Sequence, residues 1–432
     1  MYEQGLLLQV SWRRSQITAK CRMHITTSSG HDYFYLKQTN EIVDSKSDDD
    51  LFAWEFEPLS YFTALPNVDT FIISITEQCN LRCSYCCYSG SYKNNRTHNT
   101  SSMSRHDIDE VFAFIQRTVG NKELKLAFYG GEPLLQPDLL RYAINKAHAL
   151  WEDRISISVS SNATLLTPAI IDWLFDNKVR IDISIDGHKK VHDRQRRYSN
   201  GNGTFEKVYE VLSYIRAHHP AHLQDDVLIL MTLAELDDLI EISINWHEDS
   251  LLRDIIPTKI SSISPNFRLG VERSNYEVLA NKYLSLLDVY ESHRELNVLK
   301  VFLEQCIAYW INRPIIDVES AVPMATCLPL NNKLYIDSHL DIGVCEKIAD
   351  KYRIGNVKSG INWETANSQV KEYYQKRDQR CRFCPAIRMC NMCFTAIEYS
   401  DDEWDVLCHN EKIYTKVCFR LFCEMAERGL LQ

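Results

Sequence analysis

The 432-residue sequence contains no run approaching the roughly 18 uncharged apolar residues of a membrane span. Trp12-Arg13-Arg14 also interrupts the N-terminus before any signal-like apolar stretch develops. Both absences predict a cytoplasmic protein without a membrane partner. Positive charge is not in excess either: 48 basic residues stand against 58 acidic ones, and the formal net charge of −10 repels nucleic acid. Internal repeats and low-complexity tracts are missing, which argues against solenoids and biased linkers. A balance of 45% hydrophobic and 25% charged residues excludes wholesale disorder and allows two or three domains, each with its own core.

Cysteine is what the chain has in quantity. Fifteen of them in a cytosolic chain do not read as a disulfide framework, because thiols are kept reduced there and short spacings mean metal.

Organisation follows from the hydrophobic pattern. Residues 1–70 form a small β-rich element, in which His24-Ile25-Thr26-Thr27 and Tyr33-Phe34-Tyr35-Leu36 flank a Ser-Ser-Gly turn ahead of the acidic Asp48-Asp49-Asp50 run. It reads either as an edge hairpin or as a leader-peptide-binding element. From residue 71, short apolar runs alternate with helix-period stretches, with strands expected at 71–76, 124–129, 155–160, 180–185, 227–232 and roughly 255–260. Ser104 is placed to cap a helix presenting Ile108, Val111, Phe112 and Ile115, Gly120 to close it, and Thr167-Pro168 and Thr204 to open two more. The fold class is therefore α/β. Six βα units over 71–270 make a partial (β/α)6 TIM-like barrel, whose reactive loops lie at the C-terminal ends of its strands. A helical bridge is expected over 271–320, with two helices between 275 and 311. A cysteine-rich C-terminal iron–sulfur domain follows over 321–432.

Directly after the first expected strand stands Cys79-Asn-Leu-Arg-Cys83-Ser-Tyr-Cys86. Structural zinc takes four protein ligands, whereas a four-iron cluster on three thiolates leaves one iron open for chemistry. Cys87 diverges from its neighbour along the loop and is given a packing role. The motif, with the aromatic Tyr85 just before its last cysteine, resembles the radical SAM superfamily. The resemblance implies that the amino and carboxylate groups of S-adenosylmethionine (SAM) chelate the open iron. One electron then breaks a carbon–sulfur bond, and the resulting 5′-deoxyadenosyl radical abstracts hydrogen from the substrate. A zinc knuckle is the alternative for this spacing.

The resemblance extends to the other strand ends. Gly130-Gly131-Glu132-Pro133, where two glycines permit close backbone approach, resembles the motif whose backbone carbonyls and Glu132 hold the SAM ammonium. Asn162, in Ser160-Ser161-Asn162-Ala163-Thr164, and Ser184, in Ser184-Ile185-Asp186-Gly187, fall where relatives contact the SAM ribose, and Asp186 serves a turn or the substrate. In the stretch from Val191 to Arg197 the family places an arginine on the SAM carboxylate. Arg196 aligns best by spacing, with Arg194 and Arg197 left as alternatives.

Toward the C-terminus come Cys327, Cys345, Cys381-x2-Cys384-x5-Cys390-x2-Cys393 and Cys408, trailed by Cys418 and Cys423 on a helical pattern. The order resembles the SPASM domain, which holds two auxiliary four-iron clusters in enzymes that modify peptides and proteins. The resemblance assigns Cys381, Cys384, Cys390 and Cys408 to a distal cluster, and Cys327, Cys345 and Cys393 to one nearer the barrel. Cys306, an exogenous ligand or a substrate atom completes the latter. Two departures stand out: Leu340 replaces the glycine of the family, and Cys390-x2-Cys393 is one residue shorter than usual. Cys408 is expected just ahead of the terminal helix, with Cys418 as its substitute, and paired zinc sites are the alternative for the whole region. Glu346 follows Cys345 where anaerobic sulfatase-maturating enzymes carry an aspartate base, so it is either a base candidate or part of a salt bridge.

These readings imply an oxidoreductase with SAM and three [4Fe-4S] clusters, one binding SAM and two auxiliary. It would be fed by a reductant such as flavodoxin or ferredoxin and would cross-link a ribosomally made precursor peptide. Sulfatase maturation to formylglycine is the rival activity. A non-catalytic iron–sulfur or zinc module for electron transfer is the rival class.

Overall fold

The computed structural model describes residues 22–37, 39–44, 63–65, 67–120, 122–263, 272–314 and 329–431. Cys327 and the Asp48-Asp49-Asp50 run lie outside the described residues. Period-two patterning near the N-terminus produces an antiparallel three-stranded sheet of β1 (Arg22–Thr26), β2 (Asp32–Leu36) and β3 (Glu41–Val43), with β1 and β2 joined through the Ser-Ser-Gly turn.

The barrel strands are β4 (Thr70–Ile73), β5 (Leu124–Phe128), β6 (Ile155–Ser161), β7 (Val179–Ser184), β8 (Val227–Leu233) and β9 (Lys259–Ser262), all parallel and adjacent in chain order. Between them run α1 (Arg105–Val119), α2 (Pro137–Trp151), α3 (Pro168–Asp176), α4 (Lys189–Gln195), α5 (Phe205–His218), α6 (Pro220–Asp225) and α7 (Leu239–Glu248). Local chemistry sets their ends. A reciprocal capping box between Ser104 and Asp107 starts α1, and Gly120, at φ +59°, ends it. Thr167 accepts the Ile170 N–H ahead of Pro168, which opens α3. The buried face of α1, carrying Ile108, Val111, Phe112 and Ile115, belongs to the same core as Phe71 and Ile73 of β4.

The sixth strand begins later than the expected 255–260. Residues Leu252–Asp254 form a 3-10 turn, the Ile255 carbonyl accepts the Trp246 indole N–H at 2.8 Å, and Ile256 is exposed. Those two isoleucines lie between the turn and the ladder.

After α8 (Tyr276–Ser292) and α9 (Asn297–Asn312), four short strands follow: β10 (Lys333–Ile336), β11 (Asp341–Gly343), β12 (Arg353–Asn356) and β13 (Gly360–Ile361). β10 pairs parallel with β4, Leu334 opposite Phe71, and β11 to β13 add antiparallel. The result is one ten-stranded sheet, ordered β13-β12-β11-β10-β4-β5-β6-β7-β8-β9, that runs across the boundary expected near residue 321. Helices α10 (Trp363–Cys381) and α11 (Asp401–Glu427) complete the chain. Leu340, in the turn between β10 and β11, adopts φ +65°, the left-handed conformation that a glycine takes without penalty. The N-terminal hairpin docks on α11: Glu424 accepts from Ser28 at 2.6 and 2.8 Å, and Glu427 from Ser29 at 2.8 Å and Tyr33 at 3.0 Å. Among the described residues, no helix is long and apolar enough to cross a membrane.

Candidate active site

The exit of β4 leads into the loop carrying Cys79, Cys83 and Cys86, all half-buried. This loop is zipped to the segment after α4. Arg82 N–H donates to the Arg197 carbonyl at 2.7 Å, Ser84 N–H to that of Gln195 at 3.0 Å, and Leu81 bridges Tyr198. Arg196 is thereby held beside Cys83. Burial pushes the Cys79 thiol up to about 12 and that of Cys83 up to about 11, with Arg196 opposing the rise at Cys83. Hydrogen bonding with Cys87, and then burial, push Cys86 up to about 12. Thiolates are unfavourable here without added positive charge, which a metal centre supplies. Three soft sulfur donors on one loop suit an iron–sulfur centre with one open position.

Gly130 and Gly131 bring the β5 exit against the thiol loop. A Cβ on Gly131 would stand 1.8 Å from the Gln78 carbonyl oxygen, and one on Gly130 would stand 2.1 Å from Ser74 Oγ. The close approach these glycines permit is thus to the protein's own backbone as much as to a ligand. Glu132 N–H donates to Gln78 at 2.7 Å, while its buried carboxylate accepts from Asn162 N–H and Ser161 Oγ, each at 2.8 Å, and from Leu134 N–H at 3.2 Å. Burial raises its pKa to about 7, with those donors opposing. Asn162 donates from Nδ2 to Asn80 at 2.9 Å and accepts from Thr164 N–H and hydroxyl, while Asn80 donates to Thr164 at 2.8 Å. Asn80 and Thr164 were not singled out from sequence; the signal available was their place inside or beside a motif. Ser184 ends β7 on the same rim.

The fourth strand end carries a correction. Asp186 is neither a simple turn residue nor exposed to substrate. It is fully buried and accepts from Arg196 Nε at 2.9 Å, Thr232 N–H at 2.8 Å and the Tyr85 hydroxyl. The Arg196 guanidinium lies 5.5 Å from the Tyr85 ring centroid. Burial disfavours its charge, but Asp186 more than compensates and holds its pKa up. Arg194 and Arg197 are exposed, the first paired with Asp238 and the second bonded to the Asp193 carbonyl. Of the three arginines only Arg196 points inward. His192 was also missed: its Nδ1 accepts Asp186 N–H at 3.2 Å, its Nε2 meets Thr204 Oγ1 at 2.9 Å, and burial lowers its pKa to about 4. Thr204, expected to cap α5, bonds through its hydroxyl to the Arg196 carbonyl at 3.1 Å instead.

In the C-terminal region, Cys381, Cys384, Cys390 and Cys408 line one small enclosed cavity together with Arg377, Trp404, Glu411 and Lys412. Cys408 sits two turns inside α11 rather than ahead of it, because the capping box of Ser400 and Glu403 starts that helix seven residues earlier. Arg377 is 1% exposed, and its Nε and Nη2 meet no oxygen acceptor. Four thiols around a buried cation fit an anionic iron–sulfur cluster. Cys345 and Cys393 lie near each other, and burial pushes Cys345 up to about 12. Cys306 is not with them. It sits beside Cys418, Tyr283 and Tyr414, between α8, α9 and α11, which removes both Cys306 as the completing thiol and Cys418 as the substitute for Cys408. Among the described residues, no three His, Cys, Asp or Glu side chains are grouped as around a single metal ion.

Glu346 pairs with Lys333 at 3.0 Å, its side chain 12% exposed. Burial raises its pKa, but Lys333 and Lys347 outweigh that and hold it below the ordinary carboxylate value. Its carbonyl accepts from Arg96 Nε at 2.7 Å and Tyr88 at 3.3 Å, and Arg96 N–H donates to Lys347 at 3.1 Å. The chain following Cys86 is thereby strapped onto the turn holding Cys345.

A parallel half-barrel with three thiols at its carboxyl rim, joined to a second cysteine cluster, defines an iron–sulfur enzyme of the radical type. Residues 73–242 match the model of the radical SAM superfamily, so the chain carries a radical SAM domain. It is 23% identical over 341 residues to a cysteine-type anaerobic sulfatase-maturating enzyme of Clostridium novyi, spanning 76% of this chain and 87% of that protein. The fold is similar to native anSMEcpe solved with AdoMet and the Cp18Cys peptide: TM-score 0.62, 17% identity, 84% of this chain and 99% of the other. It is also similar to Streptococcus suis SuiB bound to its precursor peptide SuiA: TM-score 0.51, 12% identity, 90% and 98%.

Proposed function

We propose that the chain cleaves SAM reductively at Cys79, Cys83 and Cys86 and uses the radical to cross-link a ribosomally made peptide. One observation carries the reading: the three thiols share a rim with Glu132, Asn162 and an inward Arg196 locked to buried Asp186. A four-iron cluster held by Cys79, Cys83 and Cys86 would supply the single electron for reductive cleavage of SAM. With Nε taken by Asp186, Arg196 offers its terminal nitrogens to the SAM carboxylate. Gly130 and Gly131 carbonyls and Glu132 receive the ammonium, and Asn162 and Ser184 orient the ribose. The bonded loops hold these groups in place before SAM arrives.

Cys381, Cys384, Cys390 and Cys408 would hold the distal auxiliary cluster, and Cys345 and Cys393, with Cys327, the nearer one. Lys333 keeps Glu346 ionised, so that it accepts a proton released from substrate. Flavodoxin or ferredoxin supplies electrons. The peptide substrate is supported by relatives that carry peptides in their structures.

Sulfatase maturation is the second reading, favoured by alignment over 87% of a sulfatase-maturating relative. Anaerobically reconstituted protein, given dithionite and SAM, is expected to release 5′-deoxyadenosine, and the Cys83→Ala variant none. Oxidation of a sulfatase-type peptide in place of a cross-link would select the second reading. Intact clusters that leave SAM uncleaved would sink both.

A further inference from the structure

The cavity lined by Cys381, Cys384, Cys390 and Cys408 is also lined by a buried cation, Arg377. Arg377 comes from α10 one turn before Cys381. Its Nη1 donates to the Tyr373 hydroxyl at 2.9 Å, and that hydroxyl donates to the Met392 carbonyl at 3.0 Å, so the guanidinium is held from behind. Its Nε and Nη2 are buried and meet no oxygen acceptor, while the Cys390 thiol is within hydrogen-bonding reach of the guanidinium. A desolvated cation whose remaining donors face only sulfur is costly unless that sulfur carries negative charge. Lys412 is a second cation of the lining, set beside Cys408 and Cys384 rather than Cys390. Glu411 and Lys412 both line the cavity with opposite signs, Glu411 accepting the Asn391 N–H at 3.2 Å. Lys376 and Arg380 lie against the Trp404 ring, 5.0 and 5.7 Å from its centroid.

We propose that Arg377 is the positioning and potential-setting residue of the distal auxiliary cluster, directing Nε–H and Nη2–H at the sulfurs around Cys390. This rests on the auxiliary-cluster reading given above. Four thiolates outweigh the positive core they hold, so the cluster is an anion that gains a further negative charge on reduction. A buried guanidinium against it favours the reduced form, and N–H donation to sulfur acts in the same direction. Arg377 therefore raises the midpoint potential and makes this site the better resting place for an electron withdrawn from substrate.

The test uses the full-length chain with Cys79, Cys83, Cys86 and Cys345 changed to Ala, so that the distal site reports alone. Iron and sulfide content and an EPR-monitored redox titration are compared for Arg377 and its Lys, Gln and Met variants. The neutral variants Arg377→Gln and Arg377→Met should keep iron and favour reduction about tenfold less, about 59 mV lower for one electron, with Arg377→Lys in between. Loss of iron from the neutral variants alone, with Arg377→Lys retaining it, would equally support a cation requirement. An unchanged midpoint in an iron-replete neutral variant would overturn the proposal, as would iron loss in Arg377→Lys and the neutral variants alike. Zinc in place of iron in the parent chain is a separate failure, that of the auxiliary-cluster reading.

Discussion

At the scale of single residues, the rim depends on side chains that bond to one another before any ligand binds. Asp186 serves Arg196, Tyr85 and Thr232 at once, so Asp186→Ala leaves a buried guanidinium unpaired and should cost roughly 3–5 kcal/mol. Chemical denaturation of the variant checks this, and a loss under 1 kcal/mol would show the pair is not structural. His192 makes a pH-dependent contribution. Because burial lowers its pKa from 6.5 to about 4, the unfolded chain binds the extra proton first. The contribution is complete above pH 6.5 and falls as pH drops toward 4, by roughly 3 kcal/mol in all. The pH profile of stability should flatten over that window in His192→Gln; an unaltered slope would refute the assignment. Gly131→Ala places a Cβ on the Gln78 carbonyl, and the forced backbone shift should cost roughly 1–3 kcal/mol or more. The motifs pointed to Gly131, Glu132 and Arg196 directly. They did not point to Asp186 as an anchor or to His192, because nothing local marks a residue whose partners lie on distant segments of the chain.

At the scale of elements, the strap from Cys87 to Arg96 joins the two cysteine regions. Arg96 N–H bonds Lys347, Arg96 Nε bonds the Glu346 carbonyl, Ala349 N–H returns to Asn94 at 2.8 Å, and the Arg96 guanidinium stacks 3.8 Å from the Tyr88 ring centroid. Arg96→Ala should loosen the 345–349 turn without removing a thiol. Hydrogen exchange at Ala349 is expected to accelerate, and cross-linked product per SAM cleaved to fall; a normal product ratio alongside faster exchange would limit the strap to a structural role. Elements with local signals were legible: the capped α1, the Pro-opened α3, and α8 and α9 matched their expected positions within a few residues. β10 to β13 were not, since strands of two to four residues are shorter than any period can reveal.

For the whole molecule, the parallel pairing of β10 with β4 makes the cysteine-rich C-terminal region a continuation of the barrel sheet. A division of labour should follow. Cys384→Ala is expected to leave SAM cleavage partly intact while abolishing product, read as 5′-deoxyadenosine without modified peptide; loss of both together would show that the distal site also supports the first step. The sequence alone determined the α/β class, the six-strand repeat, the three-thiol loop and the pool of C-terminal cysteines, because each is written in contiguous residues through spacing or periodicity. Tertiary structure alone decided that Cys408 joins its partners from inside a helix, that Cys306 stays away from Cys345, that Arg196 turns inward while its neighbours face water, and that Arg377 enters the distal cavity. Such outcomes depend on which surfaces bury one another, and burial brings together residues that no interval along the chain connects.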